Sequence, residues 1–451
     1  MSTTLERLRR LQALRPQQTP ADPAVPPPRA NLPAPAAISD VSAGTLEQLV
    51  PGEVVETSAG CCYVRTVALP LAAPRGPQPL GDLLAQQPAL FAPLHPNFGL
   101  HPALDYRRAI FLDTETTGLG NGAGVYCFMV GVGTFEILEA NPSSDPSPSH
   151  FVVRQFFMRH PGEEGALLLA LADLLERHEM SVTFNGRTFD LPLLRARLRQ
   201  NQAIYPDLRG SGRLLNAERP HLDLLHPARK LWRRRLQSCR LIHLEEAILG
   251  LRRTEEDVPG HLIPQLYHDY VRDGNAQELR RVFYHNLEDI LSMVALAERM
   301  GRALSAGDNA PLEREDWLSL GRCYEDLAQW PAAEGAYRRA LESVRDPAAK
   351  AAAFHCLGQL LKRQQRWAEA AELWELWLTS VPGVDPTPYA ELAKYCEWQL
   401  GDLEQAEMWT AWAIHNLRSA PAWQRPPGAL ADLEHRLARL QRKRGAGSAG
   451  S

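Results

Sequence analysis

The sequence predicts an α/β unit, a mixed sheet flanked by helices, followed by an all-α region of helical repeats. Two observations predict it. Between residues 106 and 305 three strand-like runs come in succession, "AIFLDTE", "VYCFMVGVGTF" and "FVVRQFFM". A helix-periodic segment, a further strand and more helices follow them, the order expected of a mixed sheet covered by helices. From Asp316 onward the pattern changes to successive helical pairs rich in tryptophan.

Taken in order, residues 1–40 are expected to be disordered, because Pro16 to Ala37 is a proline- and alanine-rich stretch that buries too little apolar surface to fold. Residues 41–105 read as a small β extension. Its segment "GEVVETSAGCCYVRTVALPL" is a hairpin whose apolar alternation breaks at Ser58-Ala59-Gly60. In the α/β unit, "EEGALLLALADLLERH" has helical spacing, "MSVTFNG" is a strand, and "FDLPLLRARLRQ" is a short helix. Helical segments are expected near residues 222–235, 241–250 and 276–304.

Residues 311–440 form the repeat region. Trp317, Leu320, Gly321, Tyr324, Ala333, Tyr337 and Ala340 stand at tetratricopeptide spacing. Phe354, Leu357, Gly358, Leu361, Ala370, Trp374 and Pro382 repeat the frame, and a looser copy begins at Tyr389. A helix–turn–helix unit recurring about every 34 residues is the mark of such arrays, and small residues let its two helices approach closely. Residues 441–451 are expected to be a disordered tail.

Bulk properties bound the function. The chain has 451 residues, 45% of them hydrophobic, and a formal net charge of -4. A nucleic-acid binder with this balance must concentrate its basic residues locally. Of the seven cysteines only Cys61 and Cys62 are neighbours, and no C-x-x-C pair exists. Structural zinc is therefore not expected, and a reducing cytoplasmic setting is. No apolar run reaches membrane-spanning length, and no signal-peptide core follows the basic N-terminal segment.

The chemistry is carried by carboxylates. In "AIFLDTETTGLG" an apolar strand ends in Asp113 and Glu115. Residues two apart on a strand share a face, so two negative charges are brought together and partly buried, which a divalent metal would compensate. A two-metal site for phosphodiester hydrolysis needs further carboxylates from elsewhere in the fold. Asp190, in "TFNGRTFDLP", lies where a strand runs into a helix; alone, it reads as a helix cap. Asp289, in "VFYHNLEDILSMVAL", lies on a helix with His285 four residues before it, on the same face. Alone, that pair reads as a solvated helix face.

As a set, D-x-E at a strand end, N-x4-D at a strand–helix junction and H-x3-D on a late helix resemble the DEDD superfamily of exonucleases. The wording "FLDTETTGLG", "VTFNGRTFDLP", "HLDLL" and "YHNLEDI", followed by tetratricopeptide-like repeats, is similar to the YprB-type ribonuclease-H-like family, whose characterised members are associated with DNA repair. The resemblance covers about residues 45–420. It implies a ribonuclease-H-like fold and a 3′–5′ exonuclease that works with two divalent ions, Mg2+ or Mn2+. It implies that Asp113, Glu115, Asp190 and Asp289 hold the metals and that His285 is the general base, a task suited to an imidazole. The chain departs from the superfamily in one respect. The superfamily usually places a histidine five residues before the last aspartate, or a tyrosine four before it. Here His285 stands four before Asp289 and Tyr284 five before it, so Tyr284 is the alternative base.

Other residues are expected at the substrate. Thr116, Thr117 and Gly118 form a turn whose backbone N–H groups reach toward a terminal nucleotide, or an ordinary strand-ending turn. Asn185 ends its strand beside the site. Asp223 is a supporting carboxylate or a helix cap. The segment "HPARKLWRRRLQSCRLIH" concentrates Arg229, Lys230, Arg233, Arg234, Arg235 and Arg240, the best candidate for a phosphate-tracking surface. Trp232 within it is either a stacking platform for a base or core. The expected partner is nucleic acid, DNA favoured over RNA, with a protein such as a helicase engaging the repeats and no membrane. The alternatives are a non-catalytic binding scaffold and an endonuclease or ribonuclease on the same fold.

Overall fold

The computed structural model describes residues 45–448 apart from 93, 119–123, 139–146, 255 and 306–311. The expected N-terminal disordered segment lies outside the described residues, as does the end of the "TTGLG" turn. The strands are β1 (Glu53–Thr57), β2 (Gly60–Pro70), β3 (Pro74–Arg75), β4 (Gln78–Pro79), β5 (Ala109–Thr116), β6 (Cys127–Glu136), β7 (His150–Phe157), β8 (Met180–Thr183) and β9 (His221–Asp223). Seven of them form one sheet in the order β1-β2-β7-β6-β5-β8-β9, while β3 and β4 pair separately. β5, β8 and β9 run parallel and the other neighbours antiparallel. The sheet is therefore mixed, as the sequence predicts.

The hairpin read as an extension is part of this sheet, because β2 pairs with β7 along its length. One expected helical segment begins differently. His221–Asp223 is a buried strand, and the helix starts only at Leu225. The three residues lie beside β8, register Ser181↔His221 to Thr183↔Asp223, which fixes them in the sheet. A helix not singled out in the sequence, Ile263–Asp273, lies between the expected ones.

Side chains of β5 alternate between two apolar cores. Ala109 and Phe111 join one, Ile110 and Leu112 the other, as the two-residue period of a strand requires. The helix Glu164–Glu176 packs in the second core. The long helix Leu279–Ser305 starts there with Val282 and Phe283 and continues into the first core with Ile290, Met293 and Val294. Its approach to β6 is set by two glycines. A Cβ on Gly131 would lie 2.1 Å from Asn286 Oδ1, and one on Gly133 2.7 Å from Ile290 Cγ2. Neither leaves room for a side chain.

The first core runs on into the C-terminal region of stacked helices. The first pair is Arg314–Asp326 with Trp330–Ser343, and the second is Pro347–Arg363 with Trp367–Ser380. Gly321 faces the Tyr337 ring and Gly358 the Trp374 ring, each too closely for a Cβ, which is the close approach the small residues predict. The turns match as well. Ala328 and Gln365, in equivalent places, both take left-handed φ values of 53° and 60°. A third pair, Thr387–Tyr395 (extended by the π-helical turn Cys396–Leu400) with Leu403–Ser419, and the helix Ala429–Ser448 complete the region. Residues 441–448, expected to be tail, are thus helical. Arg436, Arg439 and Lys443 of that helix all reach the fully buried carboxylate of Glu397, and this ion cluster secures the last helix.

Candidate active site

Asp113 and Glu115 lie at the end of β5, opposite Gly131 and Met129 of β6, with a register shift following Glu115. The buried Asn286 donates from Nδ2 to Asp113 Oδ2 at 2.8 Å. Its own Oδ1 accepts from Gln155 Nε2 at 3.0 Å. Gly131 makes this contact possible, since any side chain there would displace Asn286. Strand and helix are therefore locked where Asp113 meets the His285 helix.

Asp190 opens the helix Asp190–Asn201 and is 8% exposed. Thr114 of β5 donates its hydroxyl to Asp190 Oδ1. The loop before Asp190 is held by Asp223, which is fully buried. Its carboxylate accepts from Asn185 N at 2.8 Å, Arg187 N at 3.1 Å and Leu225 N at 3.1 Å. Asp223 is thus the anchor of the loop that delivers Asp190, as well as a support for its own helix. Asn185 adopts a left-handed φ of 67° and accepts on Oδ1 from the Thr188 hydroxyl at 3.1 Å.

His285 and Asp289 share a face of their helix, with His285 Nε2 3.6 Å from Asp289 Oδ2. His285 Nδ1 lies 2.7 Å from Asp257 Oδ1. This bond fixes the ring with Nδ1 on Asp257 and Nε2 toward Asp289, the arrangement in which a carboxylate orients a histidine. Arg253 fills the remaining space. Its guanidinium is bidentate to Glu245, at 2.7 and 2.6 Å, and also bonds Asp289 Oδ1. Its side chain is 5% exposed and that of Glu245 1%. The Tyr284 hydroxyl instead accepts from Thr254 N at 3.2 Å.

The charges are crowded. Burial, then Asp289, Glu115 and Asp190, push Asp113 well above the usual carboxylate range. Burial chiefly, with Asp289 and Asp190 adding to it against His285 and Arg253, raises Glu115 to about 8. Burial raises Asp190 to about 6 against the hydrogen bond from Thr114. For His285, burial lowers the pKa, but Asp289, Asp257 and Glu115 outweigh it and lift it to about 9. Burial works against the charge of Arg253 too, yet Asp289 and Glu245 hold it above the ordinary value. Protons and one guanidinium carry the balance of charge in this cluster.

A cavity of about 460 Å³ opens beside the cluster, with Asp113, Asp289, Phe184, Asn185, Arg229 and Arg240 in its lining. Thr116 and Thr117 close the strand end. The Thr116 hydroxyl donates to Gly118 O at 2.8 Å, and Thr117 exchanges hydrogen bonds with the Tyr126 backbone at 3.0 Å. Arg233 and Arg234 are exposed. Arg235 is not free, because Asp316 takes its Nε and Nη2, each at 2.9 Å. Trp232 is 1% exposed and packs in the core, so it is no stacking platform. Among the described residues no three His, Cys, Asp or Glu side chains are gathered closely enough to chelate one ion. The donor set nevertheless suits a hard cation, with carboxylate oxygens that raise one another's pKa.

Sequence reasoning missed Asp257, Arg253, Glu245 and Asn286. The first two sit in "LRRTEEDVP", a segment with neither helical nor strand periodicity. Asn286 had a signal, since it stands between His285 and Asp289 opposite a strand glycine.

Residues 110–301 match the RNase_H_2 family model of the RNase_H superfamily. Over 290 residues the chain is 32% identical to the uncharacterized protein YprB of Bacillus subtilis (strain 168). That alignment covers 64% of this chain and 64% of the relative's length. No described helix is long and apolar enough to cross a membrane. With the mixed sheet and the carboxylates at the end of β5, residues 110–301 form a ribonuclease H superfamily domain.

Proposed function

We propose that this protein is a metal-dependent 3′–5′ exonuclease acting on nucleic acid, with DNA favoured, in DNA repair. One observation carries the reading. Three separate segments, β5, the helix from Asp190 and the helix from Leu279, deliver Asp113, Glu115, Asp190, Asp289 and His285 to one charge-coupled cluster beside a nucleotide-sized cavity. Asp113, Glu115, Asp190 and Asp289 would hold two divalent ions, Mg2+ or Mn2+. Bound there, such ions lower the pKa of water and stabilise charge on a phosphate.

The chain's own groups do the rest. His285 accepts the proton of the attacking water at Nε2, since Asp257 occupies Nδ1. To do so it must be neutral, and in the free chain the neighbouring carboxylates keep it protonated at neutral pH. Neutralising those carboxylates removes the pull and frees Nε2. Asn286 and Thr114 hold the Asp113 and Asp190 carboxylates in place. Arg229 and Arg240 face the cavity as counter-charges for phosphate, while Thr116, Thr117 and Asn185 flank the terminal nucleotide. The region of stacked helices serves as a platform for a protein partner such as a helicase.

The test is digestion of end-labelled single- and double-stranded DNA and RNA with Mg2+, with EDTA, Asp113→Ala, His285→Ala and Tyr284→Phe alongside. Stepwise loss from the 3′ end, abolished by EDTA and Asp113→Ala and lowered about 10²–10⁴-fold by His285→Ala, supports the reading. Full activity in His285→Ala with loss in Tyr284→Phe would move the base to Tyr284. A folded, metal-loaded protein that cuts nothing would leave a binding scaffold.

A further inference from the structure

Many of the described arginines are spent on carboxylates, Arg235, Arg253, Arg197 and Arg159 among them. A contiguous group is not. Arg229, Arg233, Arg234 and Arg240 have no carboxylate partner among the described residues, and all four are exposed. Arg229 lines two cavities. One is the 460 Å³ cavity beside the carboxylates. The other is a groove of about 750 Å³ lined by Arg229, Lys230, Arg233, Arg234 and Arg322.

Arg322 comes from the first helix of the C-terminal region, and its nearest polar partner is Cys356 Sγ at 3.6 Å. The acidic residues of the groove are already engaged. Lys230 holds Asp326 at 3.0 Å, while Arg363 and the Tyr337 hydroxyl hold Glu325. The Arg235–Asp316 ion pair fixes the two walls to each other. Arg234 and Arg322 line the same groove, and burial, with the Arg322 charge adding to it, pulls Arg234 below its ordinary value. An assembly of unpaired guanidinium groups held by a built ion pair wants a polyanion with repeated charges.

We propose that this groove is a second nucleic-acid site. The strand whose end occupies the carboxylate cavity continues past Arg229 and lays its upstream phosphates on Arg233, Arg234 and Arg322. The helical region is then a wall of the substrate path. The occupant is single-stranded, because the cavity at Arg229 admits one nucleotide-sized group and no duplex. The inference rests on the exonuclease reading for the direction of the strand, but the groove itself is tested by binding.

The experiment measures anisotropy of labelled oligothymidylate, one strand short and one long, on the full chain in EDTA across a salt series. Salt dependence of single-strand binding scales at about 0.7 per phosphate neutralised. Arg322→Gln should lower the slope for the long strand by about 0.7, with little change for the short one. Arg322→Lys should restore it, and Arg233→Gln should repeat the loss. An unchanged slope in both Gln variants, with melting temperatures like the parent's, overturns the proposal. So does failure of the parent chain to bind, or equal competition by polyglutamate, which would assign the groove to an acidic protein. Binding with the predicted slopes but no cleavage in Mg2+ supports the groove while refuting the exonuclease reading.

Discussion

Glu115→Gln should make the metal-free protein more stable at alkaline pH and remove its response to metal. Glu115 is 8% exposed and lies among like charges. Its pKa stands at about 8 in the fold, against 4.5 for the free side chain. The folded state therefore binds the proton more tightly than the unfolded one. Below pH 4.5 Glu115 is protonated in both states and contributes no pH-dependent penalty. As pH rises from there to about 8 the folded chain loses stability, and above that the loss is complete. At about 1.4 kcal/mol per pH unit the full penalty is on the order of 5 kcal/mol. A neutral amide of the same shape escapes it. Part of the gain is lost as Asp113 and Asp190 take up protons differently, so the expected rise is roughly 2–5 °C in Tm near pH 8.5 in EDTA. Near pH 4.5 the two proteins should melt together. Mg2+ or Mn2+ should raise the Tm of the parent chain and not of the variant. Differential scanning fluorimetry over a pH series, with and without metal, reads both effects. A variant that melts lower at every pH would refute the crowding argument. Equal metal stabilisation of both proteins would refute Glu115 as a ligand.

Metal affinity should climb between pH 6 and 9, because Glu115 and His285 must both shed protons as the carboxylates are neutralised. Calorimetry in buffers of different ionisation enthalpy should record net proton release, and its absence would contradict the raised pKa values. Asp257→Asn should cut turnover on the order of 10–100-fold while leaving metal-induced stabilisation intact, since Asp257 Oδ1 holds His285 Nδ1 at 2.7 Å and reaches Arg253 only at 3.6 Å. Loss of metal stabilisation in that variant would show that Asp257 supports the fold rather than the histidine. Gly131→Ala should destabilise the chain by about 1–3 kcal/mol by driving a methyl into Asn286 and Ile290, and turnover should fall with it. An unchanged Tm would mean that the helix shifts freely.

The carboxylates were legible because each belongs to a regular element with a strong local signature. A strand that ends in D-x-E is unusual on physical grounds alone, and the H-x3-D spacing falls on one face of a helix. The order of strands and helices was legible for the same reason, since β5, β6 and β7 are each rich in apolar and β-branched residues. The strand at His221–Asp223 was not, because three residues are too few for a period and the following helix dominates the pattern. Asp257 and Arg253 escaped because a loop segment carries no periodicity, and its contacts depend on a helix 32 residues away for Arg253 and His285. Arg235 shows the opposite limit. In sequence it is one more member of a basic run, and only the approach of Asp316 separates it from Arg233 and Arg234.

Arg253 bears on the order in which the protein matures. Four acidic groups brought together usually leave a polypeptide dependent on an ion to collapse at all. Here a guanidinium from the same chain meets Asp289 and Glu245 at that spot. The polypeptide can finish folding with an internal counter-ion in place, and under the proposed reading the binding of metal would be a separate event that draws Asp289 away from this arginine. Removal of that arginine would leave Asp289 and the buried Glu245 without their cation, and folding would then lean on protonation or on a cation from solution.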